Sequence, residues 1–124
     1  MRKRKDILTD QELEIMKIVW EIGEPTVRDV YEKLRKRRPV AYTTVMTMMN
    51  ILEQKAQLVK TPVDRAYKYK PAKPKNQVER RMVRDFVNRL FDGAAEPLVL
   101  HLVNEKKLSQ ADVEEITRIL RRAK

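Results

Sequence analysis

Cysteine is absent from the 124-residue chain, which removes disulfides, thiolate metal sites and a cysteine nucleophile together, and fits a reducing cytoplasm. Glycine occurs only twice, too rarely for a glycine-rich loop that cradles phosphate. His101 is the sole histidine and Ser109 the sole serine. With no second soft ligand a lone imidazole makes a weak metal site, so His101, between Leu100 and Leu102 in the most apolar segment, reads as an interface or core residue. Ser109 stands where a helix N-cap is needed, and no Ser-His-acid arrangement can be drawn. The carboxylates are scattered over helix faces opposite the apolar stripes, where solvation is their expected role. No enzyme, cofactor or metal site is expected. Long apolar runs are missing too, so nothing in the chain should span a bilayer. The basic start MRKRKD leads into polar Thr9-Asp10-Gln11-Glu12 with no apolar stretch behind it, unlike a secretory signal. A soluble cytoplasmic protein is expected.

What is present in excess is positive charge. Lys and Arg number 28 against 18 Asp and Glu, a net charge of +10 with a pI near 10.0. That balance calls for a polyanionic partner, nucleic acid or an anionic membrane surface. Residues 1–76 hold 18 cations and 10 acids (+8), and residues 77–124 hold 10 and 8 (+2), so the binding surface should lie in the first part. A chain of this length can bury one ordinary core, or two small ones if a partner chain completes each.

Thr9-Asp10-Gln11-Glu12 has capping-box spacing, predicting a first helix to about Ile22 whose Leu13, Met16, Val19 and Trp20 face the core, ended by Gly23 and Pro25. Thr26-Val27-Arg28-Asp29 repeats the spacing and opens a second helix with Val27, Val30, Tyr31 and Leu34 as its stripe; Pro39 closes the turn after it. A third helix follows, then Leu58–Thr61 as a strand, Pro62–Arg65 as a turn and Ala66–Lys70 as an alternating strand, the wing of a winged helix. Tyr67 and Tyr69 share one face of that strand and Lys68 and Lys70 the other, so one side can pack on the helices while the other lies along phosphates or is merely solvated.

The third helix carries the functional signal. Val45, Met48, Met49 and Leu52 fall at i, i+3, i+4 and i+7 and should pack inward, turning Tyr42, Thr43, Met46, Thr47 and Asn50 outward. Most surface helices would be charged there. Hydroxyls, an amide and apolar groups suit base edges and thymine methyls in a major groove instead. The preceding Arg35-Lys36-Arg37-Arg38 run could hold phosphate; Arg28, Lys33 and Arg38 are added on charge alone.

Pro71-Ala72-Lys73-Pro74-Lys75 has linker composition. Beyond it Val78, Met82, Phe86 and Leu90, joined by Val83, Val87 and Phe91, form one helical stripe to about Asp92-Gly93. A segment from about Ala95 to Glu105 holds Leu98, Val99, Leu100, Leu102 and Val103. A last helix, capped from Ser109, carries Val113, Ile116, Ile119 and Leu120. Three helices in fewer than fifty residues make a poor free-standing core, so this surface should bury itself against a second copy. The expected fold is mainly α with a small β-wing: a winged helix-turn-helix domain over residues 1–72, a linker over 73–76, and a three-helix dimerisation domain over 77–124.

The segments LTDQELEIMKIVWEIGEPTVRDVYEKL, AYTTVMTMMNILEQKAQL, RAYKYKP, DFVNRLFDGAAEPLVLHLV and LSQADVEEITRIL resemble the BlaI/MecI penicillinase-repressor family of winged-helix regulators over nearly the whole chain. The resemblance implies a homodimeric repressor of an inverted repeat of TACA/TGTA type. It puts the base-reading contacts on Tyr42, Thr43, Thr44 and Thr47 and the wing contacts on Arg65 and Lys68; the apolar stripes of the last three helices put the dimer contacts among Phe86, Leu90, Leu98, Leu102, Val113, Ile116 and Leu120. It also implies release by a membrane sensor metallopeptidase, which in the best-known members cuts at an Asn-Phe pair. Here that place reads Leu98-Val99-Leu100-His101-Leu102, so the flanks match and the pair does not, and the candidate bond is His101–Leu102. Copper-sensing relatives use a cysteine-rich tail, which this chain lacks. Two other readings stay open: an RNA-binding or architectural nucleic-acid protein without sequence preference, and an adaptor that binds a protein partner.

Overall fold

The computed structural model describes the backbone of residues 8–122 and the side chains of 8–119, so the MRKRKD start and the Leu120 side chain lie outside the described residues. The described elements run α1 (Asp10–Ile22), α2 (Val27–Arg35), α3 (Tyr42–Gln54), β1 (Leu58–Val63), β2 (Ala66–Pro71), α4 (Lys75–Phe91), α5 (Glu96–Asn104) and α6 (Gln110–Arg122). They divide into two compact units, residues 1–80 and 81–124. The expected linker, 73–76, is already helical from Lys75, and the Lys73 carbonyl accepts a hydrogen bond from Trp20 Nε1 at 3.1 Å.

In the first unit both predicted capping boxes form. Thr9 Oγ1 accepts from the Glu12 amide at 3.1 Å while the Glu12 carboxylate accepts from the Thr9 amide at 2.9 Å; Thr26 and Asp29 repeat the exchange at 3.1 and 3.0 Å. Gly23 ends α1 with φ +107°, a conformation an L side chain resists, and its amide donates to the Val19 carbonyl. The core gathers Ile15, Met16, Ile18 and Val19 of α1, Val30 and Leu34 of α2, Val45, Met49 and Leu52 of α3, and Leu58 of β1. Two expectations for α1 change. Ile15 and Ile18 are buried, whereas Leu13 and Trp20 are half-buried. The reason is position: α1 meets α2, α3 and β2 at once, so its covered arc is wider than one amphipathic stripe.

Glu12 does more than the cap predicted for it: it is 5% exposed and also takes Lys55 Nζ at 2.8 and 3.0 Å. Burial works to raise its pKa, but the Lys55 ammonium and the Thr9 amide outweigh that and hold it below the ordinary glutamate value. The pair ties the start of α1 to the end of α3.

The wing is an antiparallel hairpin in which Leu58 faces Pro71, Lys60 faces Tyr69 and Thr61 faces Lys68. Pro62 and Val63, expected in the turn, belong to β1; in a two-stranded sheet every strand is an edge, so a proline costs no shared ladder bond there. The turn narrows to Asp64 and Arg65, with Asp64 at φ +55°, which a short polar side chain tolerates.

The second unit is helical. Among its described side chains Val87 is the one that is buried.

Candidate nucleic-acid interface

The sequence of α3 gives it one apolar edge, Val45, Met49 and Leu52, which is buried, with Met48 half-buried beside it. Tyr42, Thr43, Thr44, Met46 and Thr47 are all exposed. Asn50, expected on that outer face, borders the open space between α3 and the wing, but it is half-buried and its Oδ1 accepts from the Tyr69 hydroxyl at 3.1 Å. Here β2 approaches α3 closely enough to claim a side chain that helical periodicity alone leaves outside. The N-cap of α3 is Ala41, and no side chain caps its first turn; the Thr44 amide donates to the Ala41 carbonyl at 3.1 Å, which leaves the Tyr42 and Thr43 amides and the partial positive charge of the helix end.

Around Tyr42 the side chains interlock. Tyr31 meets its ring edge-on, 5.4 Å between centroids at 77°, and the Arg28 guanidinium lies 5.7 Å from its centroid. Glu32 binds Arg28 at 3.3 Å and Arg35 at 2.7 Å, and Arg35 lies 6.0 Å from the Tyr31 centroid. The hydrogen bond from Arg35 lowers the Glu32 pKa, so the carboxylate stays ionised between the two guanidinium groups. These contacts restrict Tyr42, the first residue of α3. Sequence spacing hid this cluster, because Tyr31 read as core stripe and Glu32 as a solvated acid.

The cations chosen on charge are not equally available. Arg38 binds Glu14 at 2.8 Å and Lys33 binds Glu21 at 3.2 Å, each tying α2 or its following turn to α1. Lys36 and Arg37 are exposed, and they are the members of the basic run that form no ion pair among the described residues.

On the wing, Tyr69 is 3% exposed against the helices, and burial raises its hydroxyl pKa, with Glu53 adding to the rise. Tyr67, expected to pack alongside it, is 49% exposed because it sits nearer the hairpin tip, beyond the reach of the helices. Lys60 Nζ lies 4.8 Å from the Tyr67 ring centroid. Arg65 stands at the tip, and Lys68 and Lys70 are exposed on the strand's other face. Between α2, α3 and the wing lies an open cleft of about 550 Å³.

In the second unit Leu98, Leu102, Val113 and Ile116 are half-buried, while Phe86 and Leu90 are exposed. Phe86 and Phe91 meet edge-on at 6.0 Å, and Phe91 lies 5.9 Å from His101, which is itself exposed within α5. The predicted Ser109 cap forms reciprocally with Asp112 at 3.0 and 3.1 Å. Among the described residues no group of three His, Cys, Asp or Glu side chains could hold a metal ion, and no helix is long and apolar enough to cross a membrane.

Comparison with known proteins gives a consistent picture. A family model described as penicillinase repressor matches residues 8–122. The transcriptional regulator BlaI of Mycobacterium tuberculosis is 34% identical over 107 residues, spanning 85% of this chain and 78% of its own. The penicillinase repressor of Bacillus licheniformis is 26% identical over 113 residues, 91% of this chain and 88% of its own. Among solved structures, the monomeric form of Bacillus licheniformis BlaI in complex with the blaP half-operator aligns with a TM-score of 0.51 at 27% identity, covering 56% of this chain and 85% of that one.

Proposed function

The chain belongs to the penicillinase repressor family, and from that premise we propose that it is a sequence-specific DNA-binding repressor acting as a homodimer on a pseudo-palindromic operator. The observation that carries this reading is the uncharged face of α3, Tyr42, Thr43, Thr44 and Thr47, standing exposed beside a cleft with cations on its walls. Threonine hydroxyls and methyls discriminate bases, while cations fix the register on phosphate. The half-operator complex of a relative supports the same assignment. Arg28, Arg65 and Lys68 join the phosphate set; Arg38 would have to leave or share Glu14 to do so.

Residues 1–72 form the DNA-binding domain in this reading, 73–76 the linker and 77–124 the dimerisation domain. Phe86, Leu90, Leu98, Leu102, Val113 and Ile116, with Leu120 from outside the described side chains, would meet their copies in the partner. Two half-sites then hold one dimer, and joining them multiplies affinity by roughly a hundred to ten thousand. Cutting between His101 and Leu102, by a membrane sensor metallopeptidase, would remove the end of α5 and all of α6 and return each DNA-binding domain to single-site affinity.

A competition between an inverted-repeat duplex of TACA/TGTA type and a shuffled duplex tests the reading, with a preference of about a thousandfold or more expected. Thr43→Ala or Thr47→Ala should alter the base preference obtained by selection from random duplexes. Equal affinity for shuffled DNA or RNA would favour an architectural nucleic-acid protein instead. For release, the chain ending at His101 should be monomeric and lose the full-operator affinity; if it binds the inverted repeat as tightly as the intact chain, cleavage there is not the switch.

A further inference from the structure

The cleft between the start of α2, the exposed face of α3 and the wing has cations on two sides, Arg28 on the helix wall and Lys60 and Arg65 on the wing wall. Among the described residues that line it, none is acidic. Hairpin register decides which wing cations reach it. Directly opposed residues of an antiparallel pair share a face, so Lys60 lies on the side of Tyr69, and Thr61 on the side of Lys68. Tyr69 is buried against the helices, and its neighbour two residues away, Tyr67, lines the cleft. Lys60 and Tyr67 therefore face α3, whereas Lys68 and Lys70 face away from it.

The Tyr67 ring holds the Lys60 ammonium by its π face, an attraction that fixes its position and still leaves N–H donors for an anion. An open trough flanked by cations on opposite walls suits a linear polyanion passing through it better than a compact anion, which would leave one wall uncompensated. We propose that this cleft takes one sugar-phosphate strand of the DNA duplex, bordering the groove that α3 enters, and that Lys60, positioned by Tyr67, is a phosphate-contacting residue. The assignment rests on the DNA-binding reading above and adds to it a wing contact from β1, on the face opposite Lys68.

The test uses the full chain, titrated with the inverted-repeat duplex and with a shuffled duplex of equal length over a range of salt concentrations. Lys60→Gln should reduce the slope of log affinity against log salt by about 0.9 per subunit on both duplexes, and so weaken binding by about tenfold per subunit near 0.1 M salt. Lys60→Arg and Tyr67→Phe, which keep the charge and the ring, should retain the slope. Lys68→Gln, which the reading above also sets on phosphate from the opposite face, should lower the slope separately, so that the double variant loses more than either alone. An unchanged slope for Lys60→Gln overturns the proposal, whatever Lys68→Gln does. A wild-type chain that binds both duplexes equally removes the sequence-specific reading alone, because the Lys60 slope on shuffled DNA still tests the cleft. Binding to neither duplex removes both.

Discussion

Within residues 8–80, Ile18, Val30, Met49 and Leu52 keep no exposed surface, whereas in the second unit Leu90 and Leu100 each keep 61%. The two regions have similar raw material, amphipathic helices of which some have side-chain caps, at Thr9 and Thr26 in the first and Ser109 in the second. They differ in what is available to cover the apolar side. In the first unit α1 is enclosed by two helices and a hairpin strand, so every stripe finds an intramolecular partner. In the second, three helices in about forty residues enclose Val87 and little else. A side chain such as Leu100 contributes to stability only if something removes it from water, at about 25 cal/mol per Å². The first unit should thus have a stability of its own, and the second a stability that depends on protein concentration.

The contrast breaks most readily at the proposed interface. Leu98→Glu combined with Leu102→Glu should give monomers, since an unpaired charge buried at each site costs several kcal/mol, while the unfolding midpoint of the first unit stays in place. Sedimentation showing the double variant fully dimeric at micromolar concentration would contradict the assignment. Next in size, Leu52→Ala should destabilise the first unit by about 2–5 kcal/mol, with a urea midpoint that does not move with protein concentration; a midpoint that rises with concentration would tie that core to the partner as well.

A smaller effect sharpens the comparison through pH. Glu12→Gln leaves Lys55 facing a neutral amide and should cost about 1–3 kcal/mol at neutral pH. Because the folded-state pKa of Glu12 is depressed, its contribution is present above the unfolded value of about 4.3 and is lost as pH falls through the folded value. Urea midpoints of wild type and variant should therefore converge in acid; a gap that persists unchanged at low pH would assign the cost to packing. Smallest of all, Thr26→Ala removes a helix cap and should cost about 1 kcal/mol in thermal unfolding; no loss would mean that Asp29 alone secures the start of α2.

Local chemistry was legible where it is complete within a few residues. The Thr9, Thr26 and Ser109 caps, the Gly23 stop and the hairpin all stand where short-range patterns put them. So does the outward face of Tyr42, Thr43 and Thr47, because the spacing of Val45, Met49 and Leu52 fixes its direction. The Glu12–Lys55 pair was hidden for the opposite reason: Lys55 is 43 residues away. Asn50 follows the same logic, since Tyr69 lies on another element.

The sequence by itself determined the elements, the caps at Thr9, Thr26 and Ser109, and the uncharged outward face of α3, since each depends on neighbours within a turn or two of chain. Only the tertiary structure decided which polar groups are spent internally and which remain for a partner. Lys55, Arg38 and Asn50 are engaged by residues brought close through folding, while Lys60 is set beside Tyr67 on the cleft wall by strand register. Charge is a property of composition, but its availability depends on which carboxylate or ring lies within a few ångströms, and that distance is fixed by packing.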